Sequence, residues 1–208
     1  MQNAQAMTAG LIIPIDNVMM VHLDKDGNQK PIFQEYKFAA WLIKYGYISP
    51  LWINKWYAPL VSPFLGYWSK YKINKNGVTD AGKAAVASRI NGAGGAAAFT
   101  AIGQGTGTTA FSAADTALQT EVKADGTAAS GVHALATASV TASRVTTTVT
   151  NDTAQLVGTI SETATIAVTE SGVFNADTSG TLLCRQTFTA VNVVNGDSLQ
   201  FTWKIKAA

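Results

Sequence analysis

A chain of 208 residues is long enough to bury a sizeable core, in one domain or two. Charged residues make up only 13 % and apolar ones 47 %, which excludes wholesale disorder and suits a packed or assembled protein. A net charge of +2 is too small for the concentrated basic face of a nucleic-acid binder, and the one cysteine, Cys184, cannot form an internal disulfide.

Taken in chain order, the first ten residues lack a basic region, and Asp16 interrupts the apolar run from Leu11 to Met20. No export signal is therefore expected, and the protein should stay in the cytoplasm that made it. Leu11–Ile15 and Val18–Leu23 read as extended segments. Asp24, Asp26, Asn28 and Glu35 then occupy four ligand positions of a calcium-loop template, but Gln29 stands where that template needs glycine, and Pro31 comes two residues later. Asp26-Gly27 is accordingly read as a turn between strands Met19–Leu23 and Pro31–Phe33, and no metal is expected.

All six tyrosines and four of the five tryptophans lie between residues 36 and 71, whereas Ala, Thr and Gly dominate beyond residue 76. Residues 1–76 hold eight lysines and four acids, and residues 77–208 hold seven basic and nine acidic residues. This shift predicts an aromatic-rich N-terminal module over 1–76 and a second domain over 77–208. Phe38, Trp41, Leu42 and Tyr45 fall on one face of a helix, and Pro50, Pro59 and Pro63 break the remainder of the module into short pieces. The uncharged run Trp56–Ser69 is too short, at 14 residues, for the roughly 20 that span a bilayer, so a membrane partner is not expected. So many large aromatics exceed what a short segment can bury alone. Trp41, Tyr45, Trp52, Trp56, Tyr57 and Trp68 are therefore assigned to docking on a partner.

Lys70–Gly77 reads as a basic, turn-rich bridge. Val78–Asn91 reads as a helix capped by Thr79 and ended by Gly92, Gly94 and Gly95. Gly103, Gly105 and Gly107 predict a fixed structural turn, leading into a helix with Ser112 as its cap and Asp115 as the capping-box acid. The glycines have neither the lysine of a phosphate-binding loop nor the spacing of a dinucleotide fingerprint, so no cofactor is expected. Beyond Val122 the pattern turns to period two. Val140–Val145, Gln155–Ile160, Ala164–Glu170, Thr181–Thr189, Ala190–Val194 and a terminal strand with Leu199, Phe201, Trp203 and Ile205 on one face predict an antiparallel sandwich. The fold expected is mainly β with a few short helices, its C-terminal domain an antiparallel β-sandwich or jelly-roll-like barrel.

Little in the chain favours catalysis. His22 and His133 lie in different halves, and Glu162 and Glu170 are the best carboxylate pair for sugar hydrolysis. Glu170 is more simply read, with Gly172, as bracing a turn at Ser171-Gly172.

Six short motifs stand in order along the chain: Val78-Thr79-Asp80-Ala81-Gly82; Ala101-Ile102-Gly103-Gln104-Gly105-Thr106-Gly107-Thr108-Thr109; Asp115-Thr116-Ala117-Leu118-Gln119-Thr120-Glu121; Thr169-Glu170-Ser171-Gly172-Val173-Phe174-Asn175; Gly180-Thr181-Leu182-Leu183-Cys184-Arg185; and Gly196-Asp197-Ser198-Leu199. Together, over residues 77–208, they resemble a module of virion proteins from tailed bacteriophages. The resemblance implies a structural, oligomerising β domain without catalysis, of the kind found in capsid decoration or cement proteins and in tail-fibre, baseplate or neck components. It implies as partners the major capsid protein and copies of the chain itself, trimers being common among decoration proteins, with the virion as location. The chain's shortness favours the capsid over a tail fibre. A carbohydrate-binding module is the reading from a different class.

Overall fold

The computed structural model describes residues 17–45, 47 and 64–206. The predicted segment Leu11–Ile15 and the docking residues Trp52, Trp56 and Tyr57 lie outside the described residues.

Two antiparallel sheets carry the core. In the first, β1 (Asn17–Leu23) pairs on one side with β13 (Ser198–Lys206) and on the other with β2 (Gln29–Lys30) and β5 (Lys72–Lys75). β13 continues the sheet through β10 (Thr153–Ser161) to β9 (Val140–Val145). The second sheet runs β6 (Gly77–Val78), β12 (Leu182–Val193), β11 (Ile166–Phe174), β7 (Ala101–Gly105), β8 (Glu121–Val122). A small third sheet pairs β3 (Ile32–Glu35) with β4 (Gly66–Ser69).

The terminal strand shows why the layers hold. Its period-two pattern sends Leu199, Phe201 and Trp203 inward, all fully buried, against Val168, Val191 and Val193 of the facing sheet. The architecture is thus mainly β and sandwich-like, as the alternation predicted. Val18 and Met20 of β1 belong to the same core cluster. The compositional boundary at residue 76 is therefore not a break in the sheet, because the first described strand lies between β5 and the last strand. Lys70–Gly77 is likewise no mere bridge, since it supplies β5 and part of β6.

The Asp24–Asn28 turn forms as expected. Gly27 takes φ +80°, and the Asp24 carboxylate accepts the N–H groups of Asp26 and Asn28 at 2.9 and 2.8 Å. The long helix α2 (Asp80–Asn91) starts at Thr79, whose hydroxyl accepts the Gly82 N–H at 2.9 Å, and ends at the left-handed Gly92. It lies so close to β12 that a Cβ on Gly82 would run into the Leu183 carbonyl. Ala is the better helix former by about 1 kcal/mol, yet Gly82→Ala should destabilise the fold by about 1–3 kcal/mol because backbone cannot give way. Denaturant midpoints measure this, and an unchanged or raised midpoint contradicts the close packing.

Four local expectations are corrected. Gly103 and Gly105 lie in β7 and not in a turn, and none of Gly103, Gly105 and Gly107 takes a left-handed φ. Their common need is close approach: Glu121 and Leu118 lie against Gly103, Thr120 and Glu170 against Gly105, and Gln119 and Glu170 against Gly107. The helix expected after them does not form. Asp115 does accept the Ser112 N–H at 2.9 Å, as a capping acid would, but its carboxylate is also held by Arg185, and the segment runs as loop into β8. Finally, Ser171-Gly172 is the interior of β11, and the two strands predicted over 181–194 are one, with a bulge opposite Val168–Glu170.

Candidate docking surface

β3 leads directly into α1 (Lys37–Lys44), which meets the body of the protein through small Ala39, only 1 % exposed. The predicted face of α1 turns the other way. Phe38, Trp41 and Tyr45 are 65, 49 and 59 % exposed, and they stack on one another instead of entering the core. Trp41 is the centre of the group, with its ring 6.4 Å from Phe38, 5.2 Å from Tyr45 and 5.7 Å from Tyr47.

Further exposed aromatics lie on and beside β4. Tyr36, at the start of α1, lies 5.8 Å from Tyr67, while Trp68, the next residue of β4 and so on the opposite face of the strand, is half-exposed with its ring edge-on to buried Phe33. Phe64, just before the strand, is exposed as well. Periodicity thus picked out side chains that share one face of α1, and that face points outward while the buried contact is made by alanine. Exposed aromatics grouped as they are around Trp41 are uncommon on monomers and are the usual anchors of interfaces.

Lys37 and Lys70 are exposed, while Glu35, the acid that ends β3, is consumed internally. Lys72, fully buried, donates to the Glu35 carboxylate, to the Thr189 hydroxyl and, at 2.9 Å, to the Phe33 carbonyl. Burial pushes the Lys72 pKa below its ordinary value against the pull of Glu35. Burial pushes Glu35 the other way, but Lys72 outweighs it and leaves Glu35 lowered. The pair is structural glue beneath the aromatic face.

The residues considered for catalysis are separately engaged. Glu170, fully buried on β11, accepts the N–H groups of Gly107, Gln119 and Thr120 at 3.1, 3.1 and 2.7 Å and the Arg185 Nε–H at 2.8 Å. Arg185 then donates to Asp115 at 2.9 Å and to the Thr109 carbonyl at 3.0 Å. Glu170 does not brace a turn at Ser171-Gly172, which is strand; its carboxylate holds the loop of residues 106–120 across the sheet. Arg185 escaped the sequence reading, although a lone arginine in an otherwise uncharged strand was a signal for a buried partner.

Glu162 sits apart, its carboxylate accepting from the Gln104 amide at 3.1 Å. His22 bonds Asp197 at 2.7 Å and His133 bonds Glu121 at 2.7 Å, so the two histidines serve different carboxylates. Burial lowers the His22 pKa even with Asp197 beside it. Burial pushes Asp197 up, but the hydrogen bonds from Lys30 and His22 prevail and leave it lowered. Among the described residues, no three His, Cys, Asp or Glu side chains are grouped to hold a metal ion, and no helix is long and apolar enough to cross a membrane.

Compared with known proteins, the chain matches no family model, no curated protein and no solved structure.

Proposed function

We propose that the chain is a non-catalytic structural protein of a phage virion, a decoration protein that docks on assembled capsid subunits through the aromatic face of α1. The observation that carries this reading is the outward group of Phe38, Tyr45 and Tyr47 around Trp41. Exposed Lys37 and Lys70 beside it suit a partner surface whose apolar pockets are edged by acidic residues. Such a protein binds the assembled shell and not its separated subunits, and so stabilises the shell by mass action. The resemblance to tailed-phage virion modules supports the same class of partner. Copies of the chain around a symmetry axis of the lattice, trimers where that axis is threefold, complete the proposal.

Trp41→Ala should weaken attachment to capsids stripped of the protein by about 2 kcal/mol or more, as removal of a central interface tryptophan does. Its own stability should change little, because the ring is half-exposed. Co-sedimentation with capsids and circular dichroism read the two effects separately. Attachment unchanged in Trp41→Ala and Phe38→Ala together would contradict the assignment of this face.

A further inference from the structure

A cavity of about 290 Å³ opens where the three sheets meet, lined by His22 and Lys30 from the first, Asn192 from the second and Phe33 and Trp68 from the third. Its volume is near the lower end of the roughly 300–1,000 Å³ typical of small-ligand sites, which suits one small ring. Trp68 is half-exposed and stands directly opposite buried Phe33 in the pairing of β3 with β4, and their edge contact fixes the indole against the cavity. Asn192 alternates with buried Val191 and Val193 along β12, so its side chain is turned out of the core and exposed. Neither the Trp68 indole N–H nor the Asn192 amide has a hydrogen-bond partner among the described residues.

The charges that line the cavity cancel. The Asp197 carboxylate accepts from Lys30 at 2.9 and 2.7 Å and bonds His22 at 2.7 Å. Burial holds His22 below its usual pKa, so the ring is neutral near pH 7, and Lys30 and Asp197 compensate each other. No other titratable side chain among the described residues lines the space, so an ion finds no unpaired counter-charge there. A pyranose matches what remains. Its weakly positive C–H bonds suit the negative face of an indole, and adjacent hydroxyls, which both donate and accept, answer both halves of an amide. A proline-rich peptide also docks on aromatic side chains, but its prolines carry acceptors only and would leave the Asn192 oxygen unmatched. We propose that the cavity binds a neutral pyranose, stacked on Trp68 and held through its hydroxyls by Asn192. Capsid docking through α1 and sugar binding here can each fail without the other, because Trp68 packs on Phe33 while Trp41 centres its own group on the helix.

Saturation-transfer NMR on the full chain, with methyl glycosides of glucose, galactose, mannose and N-acetylglucosamine, tests this beside two controls, anionic N-acetylneuraminic acid and a proline-rich peptide. Transfer to at least one neutral glycoside is expected. Its affinity should fall about tenfold or more in Trp68→Ala and in Asn192→Ala, and stay within about twofold in Trp41→Ala. Asn192 is exposed, so its variant keeps the fold and carries the test if loss of the Trp68 ring disturbs Phe33. No transfer to any neutral glycoside, transfer to a control alone, unchanged affinity in Asn192→Ala, or affinity lost with Trp41 would overturn the proposal.

Discussion

Glu170→Gln should lower the stability of the fold by about 3–5 kcal/mol, the cost of breaking a buried ion pair from one side. The wild-type carboxylate, 0 % exposed, is shared by three backbone N–H groups and the Arg185 guanidinium. An amide offers one acceptor oxygen where the carboxylate offered two, and its NH₂ group would face donors. Arg185 would also keep its charge in a site where only Asp115, partly exposed, still compensates it. The loop of residues 106–120 should loosen first, because Gly107, Gln119 and Thr120 lose their anchor. Denaturant titration gives the stability and amide hydrogen exchange gives the location. A Glu170→Gln variant as stable as wild type would remove Glu170 from its bracing role and reopen its reading as a reactive carboxylate.

Glu162→Gln should do the opposite, increasingly as pH rises from about 4.5 to about 7. Burial raises the Glu162 pKa from its ordinary 4.5 to about 7; the Gln104 hydrogen bond opposes that rise and the Asp197 charge adds to it. The folded state therefore holds a proton that the unfolded chain has released. The contribution of Glu162 is fully present below about pH 4.5 and is lost as pH rises through about 7. The atoms explain the sign. Glu162 Oε1 and Gln104 Oε1 are both buried without partners, and a proton on Glu162 supplies the missing donor. Glutamine carries that donor at every pH. The variant should match wild type near pH 5 and exceed it by about 2–3 kcal/mol near pH 8, the free-energy equivalent of the raised pKa. Because His22 titrates alike in both proteins, the difference between them isolates Glu162. A difference that does not vary with pH contradicts this account.

Some elements were legible in the sequence because their causes are local. Thr79 caps α2 and Gly92 ends it within a few residues of chain, and the alternation of Leu199, Phe201 and Trp203 needs only the pleat of a strand. Other elements depend on partners far away in sequence. The glycines at 103, 105 and 107 look like turn residues until the segment of residues 118–121 and Glu170 are laid over them. Asp115 looks like a capping acid until Arg185, 70 residues away, takes hold of it. Lys72 looks solvated until Glu35 and Thr189 close around it, the latter on the strand whose bulge divides two strand-like stretches of sequence.

The aromatic surface was half legible. Spacing identified Phe38, Trp41 and Tyr45 as one face, and the excess of large rings over available core assigned Trp41, Tyr45 and Trp68 to a partner. That Ala39 would be the contact to the body could not be read from hydrophobicity, since the smallest side chain makes the closest approach.

The measurement that bears most directly on the central claim is the copy number of this chain in purified virions, by quantitative gel staining against the major capsid protein. Decoration of the head predicts a count in fixed proportion to the capsid lattice, on the scale of the capsid protein itself. A handful of copies would move the protein to the tail, neck or a single vertex, and its absence from virions would contradict the structural assignment altogether.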